Sequence, residues 1–553
     1  MTPLGDNQEL HPQVELGARS KHTGMTLTAS QTPRWFRFFM PSVSDLIFIL
    51  LLVSLTMGAL APRLLGDAGT GWHIRNGDQI LETHSITRAD PFSATMHGRP
   101  WYAWEWLFDA AVAAIHARSG LNGVVFLTAL VIASSFTLAF KLTLRRGASL
   151  LITLILLILA IGASAIHLLA RPHVCSWLLA LIWFEVLDSS EEAKETARLF
   201  WLPVLVLIWA NLHGAFVLGF ALCGIYLIAG LIRWWRETNA LEQEKTGAWL
   251  RRLLLASGIS LLTGLVNPFG YRLYAHIYQY LSDRFLMNHI DEFRSPDFHG
   301  AAQQCFAALL LVTVAVLAVG NCKLRTSQLL MVIFAAYSGL YASRNLPVSA
   351  ILLVLIIAPL LSQEFSKAAE DTAIAPRVRR TLARIDAFSG RMRNLESRFH
   401  GYLWPAITIV GGALLCAHHG RVGQRQLMNA HFDGKRFPVS ATDWIEARGI
   451  REPIFSQDYW GGYLLYQLYP RNQVFVDDRH DFYGDAYLKR YLKIVRVAPG
   501  WDAELKSLNP SWILFPREST LANILKEVPQ WKVVYEDEAS TLFEKANVSG
   551  NTP

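Results

Sequence analysis

Runs of roughly 17 to 22 apolar residues recur along this chain, and each is long enough to cross a hydrocarbon core about 30 Å thick. Within lipid the backbone must satisfy its own hydrogen bonds, so runs of this kind are read as helices. They lie near residues 43–62, 121–140, 149–169, 174–188, 200–211, 214–232, 253–267, 302–320, 327–342, 346–362 and 402–418, which makes about eleven expected spans, the short 200–211 run being the least developed. A hydrophobic content of 52% agrees with a polytopic α-helical membrane protein.

The formal net charge of +7 does not point to nucleic acid, because the basic residues are spread among short connections between apolar runs. With the N-terminus inside, the inside connections hold Lys141, Arg145 and Arg146, then Arg233, Arg236, Lys245, Arg251 and Arg252, then Lys323 and Arg325. Residues 363 to 401 add seven arginines on the same side, whereas the short outside turns hold only Arg171 and Arg344. The bias predicts a cytoplasmic tail over residues 1–42, a transmembrane domain over 43–418 with a first outer loop at 63–118, and a C-terminal region, 419–553, outside. No cleavable signal peptide is expected, since no convincing small-residue site follows the first apolar run. Four of the five cysteines sit in apolar segments and none is paired as CxxC, so neither disulfides nor a metal site is expected.

From about residue 419 the pattern changes. Short β-like runs at 453–456, 473–476, 511–515, 531–535 and 541–543 alternate with helical patterns at 459–469, 484–496 and 519–528, the mark of a small α/β domain.

The stretch from residue 66 to 109, GDAGTGWHIRNGDQILETHSITRADPFSATMHGRPWYAWEWLFD, carries more polar and aromatic chemistry than a connection needs. Asp67 follows the first apolar run between glycines, where a functional carboxylate and a helix cap are the two readings. His73, Arg75, Asp78 and Glu82 recur at helical spacing, so a solvated helix face competes with a site. Trp104 and Glu105 belong to a tryptophan cluster that suits an interfacial anchor equally well. On the expected topology, Arg171 and His173, Asn211 and His213, Arg272 and Arg344 reach the same outer face. Their convergence suggests a polar site at the bilayer boundary. In the C-terminal region, Asp477-Asp478-Arg479-His480-Asp481 reads first as a local ion pair that fixes a loop. Tyr459-Trp460-Gly461-Gly462-Tyr463 reads first as helix-start packing or a surface resting on the membrane domain, with aromatic stacking on a glycan as the lesser alternative.

The segments WHIRNGDQIL, ADPFS, GRPWYAWEWLFD, RPHVCSWLL, WANLHGAF, LVNPFGYRLY, RSPDFH, SRNLP, YWGGYLLYQL and FVDDRHDFYG together resemble bacterial membrane glycosyltransferases of the C-type (GT-C) superfamily, in the mannosyltransferase-like and lipid A-core galacturonosyltransferase-like group. The resemblance covers about residues 43 to 546. It implies a GT-C-like fold whose first outer loop carries a catalytic acidic residue, matched in position by Asp67. It also implies an inverting enzyme of the bacterial cytoplasmic membrane that takes a sugar from a polyprenyl phosphate or pyrophosphate and passes it to a glycan, lipid or protein acceptor in the cell envelope. Relatives read D-x-D-T where this chain has Asp67-Ala68-Gly69-Thr70, so one carboxylate is replaced by Gly69. A divalent cation is compatible with such chemistry, although Gly69 removes a carboxylate that would hold it.

On that resemblance Asp67 is the expected base. Arg171 is the expected phosphate clamp with Arg344 or Arg272 as partners, because guanidinium matches phosphate geometry. His73, Arg75, Trp104, Glu105, His173, Asn211 and His213 complete the expected substrate-binding set. The alternative is a non-catalytic scaffold, or a transport or assembly component of envelope polysaccharide, built on the same fold.

Overall fold

The structure is a computed structural model that describes residues 38–546 apart from 59, 194, 195, 321, 322, 400 and 401. Most of the tail expected over residues 1–42 therefore lies outside the described residues, as do Lys194 and Cys322.

The N-terminal part is a helical bundle of α1 (Val43–Met57), α2 (Gly69–Thr83), α3 (Trp106–Arg145), α4 (Leu150–Ala163), α5 (His173–Ala193), α6 (Trp201–Leu212), α7 (Val217–Arg236), α8 (Ala240–Thr263), α9 (Tyr271–Ser282), α10 (Ala301–Val319), α11 (Thr326–Tyr341), α12 (Leu346–Glu370), α13 (Pro376–Arg398) and α14 (Leu403–Ala417). The chain is a multi-pass membrane protein, but the expected count of about eleven spans is corrected. Every expected apolar segment falls largely on a helix, yet among the described residues only four helical stretches are both long and apolar enough to cross a membrane: Trp106–Arg145, Gly214–Arg236, Ala301–Val319 and Ser343–Glu370. Five further apolar helices have 10–17 residues. At about 1.5 Å per residue, a 15-residue helix reaches roughly 22 Å, short of a 30 Å core. The two remaining segments lie on α5 and α8, whose sequences carry several charges.

Local chemistry sets the helix ends. Ser42 and Asp45 form a reciprocal capping box at the start of α1, and Glu396 of α13 accepts from the Val43 and Ser44 N–H groups at 2.6 and 3.2 Å. Those donors have no partner inside the helix, so the cap straps α13 across the bundle end. Helix α12 is enclosed along most of its length, from Leu346 to Leu360, and forms the bundle's centre. Helix α10 instead presents Leu311, Val314 and Val319 outward, as a lipid-facing surface does.

The C-terminal part contains α15 (Val439–Arg448), β1 (Ile454–Ser456), α16 (Asp458–Leu468), α17 (His480–Val495), α18 (Trp501–Leu508), β2 (Trp512–Pro516), α19 (Thr520–Leu525), β3 (Trp531–Glu536) and β4 (Ser540–Lys545). The sheet order is β1-β2-β4-β3, with β1 parallel to β2 and the other pairs antiparallel. The strand expected at 473–476 is reduced to single bridges from Val474, one to Ile454 and the other to Ser93 in the first loop of the bundle. Ala94 N–H donates to the Val474 carbonyl at 2.8 Å, and Val474 N–H donates to that of Phe92 at 3.3 Å. Residues 92–94 thus extend the edge of the C-terminal sheet, and the two parts are joined by backbone hydrogen bonds.

Candidate active site

Helix α2 crosses α16 at a point with no room for side chains. A Cβ on Gly71 would lie 2.2 Å from the Gly462 carbonyl oxygen, and one on Gly462 would lie 2.3 Å from that of Ala68. The Tyr459–Tyr463 segment is thus the surface that rests on the membrane part. Beneath this crossing, His73 and Asn76 on the inner face of α2 are fully buried, so the reading of a wholly solvated helix face fails for His73.

The His73 Nδ1–H donates to Asp109 Oδ1 at 2.6 Å, and Asn76 Nδ2 donates to Asp109 Oδ2 at 2.6 Å. With its tautomer fixed in this way, His73 presents Nε2 to Glu105 Oε2 at 3.8 Å, and Nε2 has no hydrogen-bond partner among the described residues. Burial, and then the nearby Arg171, hold His73 well below the usual imidazole range, so the ring is neutral. The other Glu105 oxygen faces His213 Nε2 at 3.5 Å. Ser176 accepts from Trp209 Nε1 at 2.7 Å and donates to His213 Nδ1 at 2.8 Å, which leaves the His213 proton on Nε2, toward Glu105. Burial, followed by repulsion from Asp109, pushes the Glu105 carboxyl up to about 8.

A second cluster forms at the same end of the bundle. Arg171 Nη1 donates to Asp67 Oδ1 and to Asp478 Oδ2, both at 2.9 Å. Burial works against the Arg171 charge, but Asp67 and Asp478 outweigh it and hold the guanidinium charged. Asp67 Oδ1 also accepts from the Gly69 N–H at 2.7 Å while it pairs with Arg171, but it is not the helix cap: the N-cap of α2 is Ala68, which has no side-chain cap. Arg344 pairs more loosely with Glu292 at 3.7 Å and lies 4.4 Å over the Phe293 ring. Although burial acts to raise it, Glu292 is held at about 2 by Arg344 and Arg171.

The other expected residues are placed less centrally. His173 Nε2–H donates to the His167 carbonyl at 2.9 Å, and His167 Nε2–H to that of Ser343 at 3.1 Å, which ties the loops around Arg171 and Arg344. Arg75 turns away to the Tyr466 carbonyl and Asp78, and Arg272 is an outlying donor to the Tyr102 hydroxyl. Trp104 stacks on His276 at 4.3 Å. Asn211 accepts from Trp106 Nε1 at 2.8 Å. It lines an open, largely apolar groove of about 450 Å³ with Leu107, Leu207, Ile208, Val266 and Trp106, the residue that follows Glu105 in the chain.

Asp478, Asp109, Glu292 and His167 were not among the expected site residues. The ion pair expected within residues 477–481 exists, since Arg479 Nη2 meets Asp477 Oδ2 at 2.6 Å, but it excludes Asp478. Arg479 also meets Asp90 Oδ1 at 2.9 Å and lies 4.4 Å over the Trp101 ring, bolting the first loop to the C-terminal part. The donor set does not make a cation site. Arg171 Nη1 fills the space between Asp67 and Asp478, and among the described residues no group of three or more His, Cys, Asp or Glu side chains is placed to hold a metal.

No protein-family model and no curated protein matches the chain. Among solved structures, the chain is similar to the oligosaccharyltransferase of Archaeoglobus fulgidus. In its apo form the TM-score is 0.54 at 11% identity, covering 92% of this chain and 74% of that one. The form tethered to an acceptor peptide containing the NVT sequon gives 0.51 at 13% identity, covering 86% and 69%. The complex with an inhibitory peptide and a dolichol-phosphate gives 0.50 at 12% identity, covering 92% and 74%. At these identities the likeness is one of fold.

Proposed function

We propose that this protein is a membrane glycosyltransferase that moves a sugar from a polyprenyl phosphate or pyrophosphate to an acceptor in the cell envelope, within the mannosyltransferase-like and galacturonosyltransferase-like group that its motifs resemble. The observation that carries this reading is Arg171, a charged guanidinium held between two carboxylates at the end of a membrane bundle. A lipid phosphate at the bilayer boundary matches its charge and geometry. The fold adds support, since the archaeal oligosaccharyltransferase of similar fold has been solved with a dolichol-phosphate.

In this reading Arg171 takes the leaving phosphate. Asp67 uses Oδ1 for Arg171 and Gly69, so Oδ2 remains to receive the proton of the acceptor hydroxyl. The acceptor oxygen forms the new bond to the anomeric carbon as the bond to the phosphate oxygen breaks, inverting that carbon. His73, oriented by Asp109, and Glu105 hold sugar hydroxyls. In this reading the C-terminal part and the site lie together on the outer face of the bacterial cytoplasmic membrane.

The test is transfer of radiolabel from a panel of polyprenyl-phosphate sugars by purified protein, with a membrane extract as acceptor source. Wild type is expected to transfer from one donor, and Asp67→Asn to lose about 10²–10⁴-fold in rate, the usual contribution of a general base. Folded wild-type protein that neither binds nor transfers from any donor would replace this reading with the scaffold.

A further inference from the structure

We infer that Asp478, carried in from the C-terminal part, is the second carboxylate that positions the Arg171 guanidinium, and that residue 69 is glycine so that this carboxylate can enter. The inference rests on the reading of Arg171 as the phosphate-binding group. A Cβ built on Gly69 would lie 2.5 Å from Asp478 Oδ2, 2.7 Å from Arg171 Nη1 and 2.9 Å from Arg171 Cζ. Side chains at 69 and 478 therefore compete for one volume. Gly69 is not among the residues of positive φ, so its backbone conformation does not call for glycine. The empty space beside it is what the site uses.

Asp478 is held firmly where it enters. On one side Gly461 lets α16 press against the preceding turn, since a Cβ there would lie 2.4 Å from the Val476 carbonyl oxygen. On the other, Arg479 is locked to Asp477 and Asp90. Of the two Asp478 oxygens, Oδ2 is spent on Arg171 and Oδ1 is buried with no hydrogen-bond partner among the described residues. Burial, only partly offset by Arg171, pushes the Asp478 carboxyl up to about 6, so removing it relieves negative charge beside the phosphate position.

The full-length chain is compared with Asp478→Ala, Gly69→Asp and the double variant Gly69→Asp/Asp478→Ala. Asp478→Ala is expected to lower kcat at least tenfold without weakening binding of undecaprenyl phosphate, followed by native mass spectrometry. Gly69→Asp alone is expected to lose activity, because two carboxylates then contend for one space. The double variant, with its carboxylate supplied from the other side, is expected to recover at least threefold over Asp478→Ala. Wild-type kcat in Asp478→Ala, or no recovery in the double variant, would overturn the inference while leaving the glycosyltransferase reading in place. If wild type transfers from no donor, that reading fails instead. The thermal midpoint then decides the carboxylate exchange by itself, a midpoint restored in the double variant supporting it and an unrestored one overturning it.

Discussion

Glu105 stands between two imidazoles and is forced to keep a proton through the neutral range. Its carboxyl titrates at about 8 in the folded chain against 4.5 when free, so between those values the folded state binds a proton that the unfolded state releases. Stability contributed by Glu105 is therefore full below about pH 4.5 and falls as pH rises toward 8, by an amount on the order of a few kcal/mol. Glu105→Gln is expected to flatten the decline of the thermal midpoint from pH 5 to 8, and parallel curves for the two chains would refute the assignment. Asp67 and Arg171 stand out in the sequence because each is a charged residue at the edge of an apolar run, where a charge needs a reason, and His73 because it recurs at helical spacing with Arg75, Asp78 and Glu82. Asp478 does not, because its neighbour Arg479 offers the nearer partner, and only the turn after Val476 shows that Asp477 takes that partner while Asp478 faces Arg171. Asp109 was hidden differently: in the first turn of α3 a carboxylate is explained well enough by the helix dipole.

The elements were easier to read than the contacts between them. Each apolar run marks a helix because apolar periodicity and length are local properties, whereas the length a helix keeps is set by its caps and neighbours, so the count of spans was overestimated. The crossing of α2 and α16 is the contact on which the site depends. Gly461 and Gly462 suggest a resting surface in the sequence, but the partners of Gly462 at Ala68 and Gly71 lie nearly 400 residues away and no local signal joins them. Gly462→Ala is expected to destabilise the protein by about 1–3 kcal/mol, the usual cost of forcing atoms into a filled space. Lifting α16 should also raise hydrogen exchange over residues 458–468. A variant that melts and exchanges like wild type would show that this crossing yields more easily than its 2.3 Å approach implies.

At the scale of the molecule, the bundle and the C-terminal sheet are one object because residues 92–94 belong to both. Ala94→Pro removes the N–H that donates to Val474 and is expected to expose the 473–475 backbone to exchange while the helices keep their protection. Unchanged protection at 473–475 would mean that the Arg479 bolt holds the parts together without the backbone bridge. The same bridge governs how the protein comes into being. During synthesis the bundle's first loop emerges long before its partner strand, separated by some 380 residues, as in the Thr95 hydroxyl contact to the Phe475 carbonyl. Until then Asp90 lacks Arg479, Arg171 lacks Asp478, and residues 92–94 have no sheet to join. A product that stops short of the last quarter of the chain therefore keeps the contacts of His73 with Asp109 and of Arg171 with Asp67 but lacks the Asp478 contact to Arg171 and the Arg479 bolt to Asp90.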